Sequence, residues 1–331
     1  MNIINWILYI PLALCVCYLL VYAVASKFYR APCFPEARKL RRFVILFPAY
    51  KEDRVIISSV RSFLQQDYPQ ELFDIIVISD QMQDTTNDAL RSLPIRLLIA
   101  DYKESSKAKA MTMAMNAIKE EPYDVVAVMD ADNLTSPDFL AEVNRAFDSG
   151  LQSIQAHRTG KNLNTAISVL DGISEEINNG IFRSGHNVLG LSAALSGSGM
   201  AFEFNWFKDN ILKLGHVGVD KQLEVLLLKQ RIFIEYLEDV YTFDEKVETS
   251  SKFYNQRRRW LATQTKNLRI SCGDLPYAIF SGNWDYCDKI IQWMMPPRVM
   301  LLGLLVIIAL VWTFFNWPTS IKWWVALLIL L

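Results

Sequence analysis

Val125-Val126-Ala127-Val128-Met129-Asp130-Ala131-Asp132 is the stretch on which the reading of this chain turns. Its first five residues are apolar, too few for a helix, and rich in β-branched side chains. That is the pattern of a strand buried on both faces. Two carboxylates follow, one residue apart. In extended backbone, positions i and i+2 point to the same side. Two such carboxylates repel each other unless a cation or hydrogen-bond donors stand between them. Hard oxygen ligands of this kind suit a divalent cation, Mg²⁺ or Mn²⁺. A solvated turn or a helix cap gives the same spacing. The position directly after a buried strand favours the ligand reading.

Outward from there the pattern repeats. Residues 43–47 (FVILF), 75–79 (IIVIS) and 96–100 read as further strands. Helical patterns at residues 55–66, 87–92 and 107–119 separate them. Strands alternating with helices predict an α/β fold with a mostly parallel, doubly wound sheet. Such sheets bind ligands beyond the carboxyl ends of their strands. The first strand leads into Pro48-Ala49-Tyr50-Lys51-Glu52-Asp53, the second ends at Asp80, and a third ends at Asp130 and Asp132. Three strand ends carrying carboxylates point to a polar ligand with hydroxyls, a cation, or both.

Lys107 and Lys109 open a helix behind Ser105-Ser106, which offer N-caps. Lysine is unfavourable at the positive end of a helix unless an anion such as a diphosphate binds there. Two solvated lysines are the plain alternative. Asp220 precedes an apolar helical pattern and reads either as an N-cap or as a carboxylate placed to take a proton. Gln256-Arg257-Arg258-Arg259-Trp260 reads either as a basic patch beside a membrane or as a sugar platform with phosphate donors. Gly197-Ser198-Gly199 permits close backbone approach, and equally a flexible turn. His157, His186 and His216 are too far apart in sequence to argue a metal triad or a Ser–His pair. Structural or surface roles are expected for them.

The chain has 331 residues, of which 52% are hydrophobic, and the apolar excess gathers at its two ends. Net charge is −1, so no basic field invites nucleic acid. The five cysteines are Cys15, Cys17, Cys33, Cys272 and Cys287. They fit neither a zinc site nor a disulfide framework, and a reducing compartment is expected. Residues 1–26 are uncharged, with a run close to the ~20 apolar residues that cross a bilayer. No basic stretch precedes them, so a membrane helix is expected rather than a cleaved signal. Lys27, Arg30, Arg38, Lys39, Arg41 and Arg42 follow, which predicts a cytoplasmic domain at residues 27–270. The aromatic and charged residues 271–298 are expected to lie along the membrane surface. Residues 299–331 form a second membrane region. The uncharged run 299–321 is expected to cross, and 323–331 to begin a third crossing that the sequence leaves unfinished. A short hairpin in the outer leaflet is the alternative.

Taken in order, these pieces resemble the family 2 processive glycosyltransferases, the group of cellulose, hyaluronan and poly-N-acetylglucosamine synthases. The resemblance runs from about Phe43 to the end. Its most specific piece is Gln256–Trp260, which matches a QxxRW signature. The resemblance implies a GT-A fold flanked by transmembrane helices, in a bacterial inner membrane. It implies a nucleotide-sugar donor, expected to be a UDP-sugar, and a polysaccharide or lipid acceptor. By its motifs, Pro48, Ala49, Tyr50, Glu52 and Asp80 would face the nucleoside, and Lys109 the diphosphate. Asp130 and Asp132 would hold metal and donor sugar, and Asp220 would be the general base. Gly199, Gln256, Arg259 and Trp260 would line the acceptor and diphosphate side. Lys51 departs from the usual Asn. Val219 stands where an acidic residue is common, which makes Glu224 a second candidate for the base. A gating-loop motif is not evident. The expected reaction is an inverting transfer to a growing polysaccharide. Single addition to a membrane lipid, or a non-catalytic scaffold, are the alternatives.

Overall fold

The computed structural model describes Asn2–Gly215 and Gly218–Leu331. The chain begins with α1 (Asn2–Ser26), then alternates through β1 (Phe43–Tyr50), α2 (Ile56–Phe63), β2 (Phe73–Asp80), α3 (Asp84–Arg91), β3 (Arg96–Ala100), α4 (Lys107–Ile118) and β4 (Val125–Val128). A two-residue β5 (Leu134–Thr135), α5 (Phe139–Asp148) and β6 (Ser153–Gly160) follow. Next come α6 (Ala166–Asn179), a π-helical turn (Gly180–Ser184), α7 (Gly185–Val188), β7 (Met200–Glu203) and α8 (Phe204–Ile211). The rest is mostly helical: α9 (Val219–Lys229), β8 (Glu235–Asp244), α10 (Ser250–Ser271), α11 (Leu275–Phe280), α12 (Trp284–Met294), α13 (Arg298–Phe315) and α14 (Trp317–Leu330).

The strands form one sheet in the order β3-β2-β1-β4-β7-β6-β8-β5. β3, β2, β1 and β4 are parallel, as is β6 with β8. β7 runs antiparallel to both neighbours, and β5 antiparallel to β8. The α/β expectation and its mostly parallel sheet therefore hold. All four predicted strands are present. β1 extends three residues further than its apolar run, through Pro48 to Tyr50. A proline is tolerated there because β4 pairs with β1 only as far as Leu46. Apolar layers cover both faces of the sheet: Phe47, Phe63 and Phe139 on one, Met111, Phe202 and Phe207 on the other.

α1 packs along the π-helical turn and α7. A Cβ on Gly185 would lie 2.3 Å from the Tyr22 carbonyl oxygen, so only glycine allows this approach. α1 and α13 are each long and apolar enough to cross a membrane. The expectation of one crossing over residues 299–321 is corrected. α13 stops at Phe315, and Asn316 caps a new helix by accepting from the Thr319 N–H at 3.3 Å. Pro318, which lacks an N–H and would clash with the preceding turn, is the physical reason. The run at 323–331 is accordingly not a helix of its own. It belongs to α14, which folds back on α13 as a helical hairpin and buries Trp323 against α1. The Trp323 indole N–H donates to Asn5 at 3.0 Å.

Candidate active site

The carboxyl ends of β1, β2 and β4 meet at one edge of the sheet. β1 and β2 are each followed by a residue with left-handed backbone, Lys51 (φ 57°) and Gln81 (φ 54°). Such conformations are costly for residues with a side chain and gather where a ligand is bound. Lys51 N–H donates to the Asp80 carbonyl at 3.2 Å, locking the two strand ends together. Asp80 is buried, and its Oδ1 has no hydrogen-bond partner among the described residues. Tyr50 beside it is exposed.

Asp130 and Asp132 follow β4 as the sequence implies. Asn133 holds the turn, its side-chain oxygen accepting from Asp130 N–H at 2.9 Å and its side-chain N–H donating to Asp132 at 3.2 Å. The other Asp132 carboxylate oxygen accepts from Glu245 N–H at 3.1 Å, and its carbonyl accepts from the Lys161 ammonium at 3.0 Å. Burial pushes the Asp132 carboxyl above its ordinary value, and the neighbouring Asp130 and Asp244 charges add to this. Glu52 is raised by burial and then by Asp132 and Asp130. Burial acts on Asp130 too, but Lys107 and Arg158 outweigh it, so its carboxyl stays below the usual range. The Asp130 charge thus raises both Asp132 and Glu52.

The lysine that enters this spot is Lys107. Its ammonium donates to Asp130 and, at 2.7 Å, to the Gly197 carbonyl. Lys109, favoured from the sequence for the diphosphate, instead donates to the Glu104 carbonyl at 2.7 Å and lies over the Tyr102 ring. Ser106 caps α4 as expected, accepting from the Lys109 N–H. Gly199 has φ 62°, and a Cβ there would lie 2.7 Å from the Thr242 hydroxyl oxygen.

Asp220 lies in the first turn of α9. Two contacts tie that turn to the Gly197 segment. The Lys221 ammonium donates to the Leu195 carbonyl at 2.8 Å, and Leu195 N–H donates to Glu224 at 3.2 Å. Glu224 is fully buried between Lys221 and Lys289. Burial alone would raise its carboxyl, but the two ammonium groups hold it below the ordinary value. It is thus a structural ion pair behind the site rather than a base facing it. α10 crosses the start of α9, where a Cβ on Gly218 would meet Thr263 at 2.3 Å. Thr263 is one turn along α10 from Arg259. Arg259 and Trp260 are exposed, and the Gln256 side-chain oxygen is buried without a partner among the described residues. The Arg257 guanidinium stacks on Trp260 at 4.4 Å from the ring centre and donates to Asp171 at 2.5 Å.

Behind the aspartates lies a buried charge network that sequence reading missed. Arg158 donates to Asp244 at 2.6 Å, and Lys246 bridges Asp244 at 2.9 Å and Glu175 at 3.9 Å. Arg183 closes it on Glu175 at 3.0 Å. The signal was Asp244, another carboxylate at a strand end. β8 (EYLEDVYTFD) hid it, because its charged residues break the apolar run.

Two histidines are structural. His157 bridges the Glu238 carbonyl and the Glu176 carboxylate, both at 3.0 Å. His186 stacks on Tyr22 and contacts Asp288 at 3.0 Å. His216 lies outside the described residues. All five cysteines are free thiols.

Comparison with known proteins fits this geometry. A mannosyltransferase from Pyrobaculum calidifontis, solved with GDP-Man and Mn²⁺, superposes with a TM-score of 0.59 at 16% identity, covering 96% of this chain and 94% of that one. A glucosyl-3-phosphoglycerate synthase from Mycobacterium tuberculosis gives 0.48 at 16% identity, over 72% and 84% of the two chains. A probable glycosyltransferase of Bacillus subtilis, YdaM, is 28% identical over 101 residues, which is 29% of this chain and 24% of that relative's length. Residues 41–263, well over half of the chain, match the model of the glycosyltransferase-like family 2, and the protein belongs to that family.

Proposed function

We propose that the protein transfers a glycosyl group from a nucleotide-diphosphate sugar to an acceptor hydroxyl, with inversion, at a membrane surface. One observation carries this reading: Asp130, Lys107, Gly197 and the start of the Asp220 helix form a single connected edge beyond β4. The unpaired Asp80 carboxylate oxygen is suited to accept from a nucleobase N–H at the far end of that edge.

Two neighbouring carboxylates, Asp130 held ionised by Lys107 and Arg158 and Asp132 raised by burial and by the Asp130 charge, suit a divalent cation, Mg²⁺ or Mn²⁺. No cluster of three or more His, Cys, Asp or Glu side chains that could hold a metal occurs among the described residues. A cation held by two carboxylates would keep waters and take its other ligands from the donor's phosphates. Bound there, it would supply Lewis-acid neutralisation of the departing diphosphate. Lys107 contributes a second positive charge to the same region. Asp220 takes the acceptor proton, Trp260 offers a stacking face for a sugar ring, and Gln256 and Arg259 supply hydrogen bonds beside it. The membrane reading rests on α1 and α13, and a cytoplasmic side for residues 27–270 is supported by the basic run after Ser26. A growing polysaccharide as acceptor rests on the sequence resemblance alone. Single addition to a membrane lipid is the second reading, favoured by the groove described below.

The test is calorimetry and transfer assayed together. Asp132→Asn should abolish metal-dependent binding of UDP-sugar or GDP-sugar. Asp220→Asn should keep that binding and lower transfer by ~10²–10⁴-fold. Transfer at the normal rate in a folded Asp220→Asn protein would remove Asp220 from the mechanism. A product ladder supports polymerisation, and a single addition supports a lipid acceptor.

A further inference from the structure

A groove of about 470 Å³ runs between the last turn of α1 and one face of α6. Ala23 and Ser26 form one wall, and Val169, Ile173 and Ile177 the other, with Leu163 at one end. Its volume lies within the ~300–1,000 Å³ of small-ligand sites. Leu163, Ile173 and Ile177 are each more than 40% exposed, an apolar set that a water-facing surface would not keep contiguous.

Two features say what covers it. The first is continuity: one wall is the end of a helix long and apolar enough to cross a membrane, so the groove opens where that helix would leave the hydrocarbon. Lys27 stands at this level, at the headgroup position, and Arg30 follows in sequence. The second is the floor. It is made by Thr159 and Gly160 at the end of β6, and the next residue, Lys161, donates to the Asp132 carbonyl. A chain lying in the groove therefore has its head beside the strand that supports the catalytic aspartates.

We infer that the groove holds the hydrocarbon chain of a membrane-lipid acceptor and presents its headgroup to the Asp132 edge. The inference rests on the transferase and membrane readings above and names the acceptor class for them. Glu176, the one carboxylate lining the groove, is turned to His157, Thr159 and Asn179 and leaves the lining apolar.

The test uses the full chain in phosphatidylcholine nanodiscs with a hexadecyl phosphate carrying a terminal diazirine. After irradiation, mass spectrometry should find the label concentrated on residues 23–27 and 169–181. Ile173→Trp and Ile177→Trp, which fill the groove, should cut labelling about tenfold. Leu170→Trp, on the exposed face of α6 but outside the groove, should label as the parent does. Dodecyl phosphate should compete and inorganic phosphate should not. Nucleotide-sugar binding by calorimetry should be equal in all three variants. Loss of that binding in the parent would sink the transferase reading and leave the groove result standing. Label spread over α13 and α14 without enrichment, or undiminished in the groove-filling variants, overturns the inference. So does a disc holding two chains with the groove unlabelled, because a second copy would then be its cover.

Discussion

Burial acts on Glu175 by raising its carboxyl, but Arg183, Arg158 and Lys246 outweigh it and pull the value down to about 2. The sign of its effect on stability follows. A depressed carboxyl stabilises the folded state at pH above its ordinary value near 4.5. That contribution fades as pH falls from there toward 2. The shift corresponds to about 3 kcal/mol. In thermal melts, Glu175→Gln should be less stable than the parent at pH 7, because Arg183 and Lys246 lose a buried partner. The two curves should converge as pH drops from 4.5 toward 2. A gap that stays constant over that window would mean Glu175 acts by packing alone. The lysines at the start of α4 teach a related lesson. The sequence put two ammonium groups at one helix start, and their flexible four-carbon stems left open which one turns inward. Only the approach of Gly197 toward Asp130 selects Lys107.

At the scale of elements, strands buried on both faces were legible because an uninterrupted apolar run has one reading. β6 and β8 were not, since charges that serve the buried network interrupt them, and β7, with three apolar residues before Glu203, is too short to stand out. Asp130, Asp132, Asp80 and Asp220 could be found by their place at strand and helix ends. The link between α9 and α12 could not, because Glu224 and Lys289 are 65 residues apart in a chain of ordinary charge content. Both are fully buried, with Nζ and Oε1 2.9 Å apart, and they fasten the Asp220 helix to the segment expected at the membrane surface. Lys289→Met leaves a buried carboxylate with Lys221 alone and should cost about 3–5 kcal/mol. Combining it with Glu224→Leu removes both charges and should recover much of that loss. Melting temperatures of the two singles and the double form the cycle that checks this. If the double is worse than the sum of its parts, the pair is a packing contact rather than an ion pair.

For the whole molecule, the question is how firmly the apolar helices hold the catalytic domain. Cys33 and Cys272 are exposed on the domain side of α1 and α13. If the domain lies on the cytoplasmic side as proposed, a membrane-impermeant maleimide should label them in inverted vesicles and spare them in intact cells. The attachment itself is specific. The Tyr22 hydroxyl donates to Asp288 at 2.7 Å and the Tyr18 hydroxyl donates to the same oxygen at 2.9 Å. His186 stacks on Tyr22 from the α7 side, with ring centres 3.8 Å apart. This cluster joins α1, α7 and α12, and α7 follows directly on the π-helical turn that carries on from α6. Gly185 is its weak point, since any Cβ would press 2.3 Å from the Tyr22 carbonyl oxygen, and backbone cannot swing aside as a side chain can. Gly185→Val should lift α1 from the domain without touching a residue of the nucleotide edge. Limited proteolysis should then cut between residues 27 and 42 faster than in the parent, while nucleotide-sugar binding persists and transfer to a membrane acceptor falls. If cleavage and transfer both stay at parental levels, the α1 contact is incidental and the acceptor reaches Asp220 by a path that does not pass this helix.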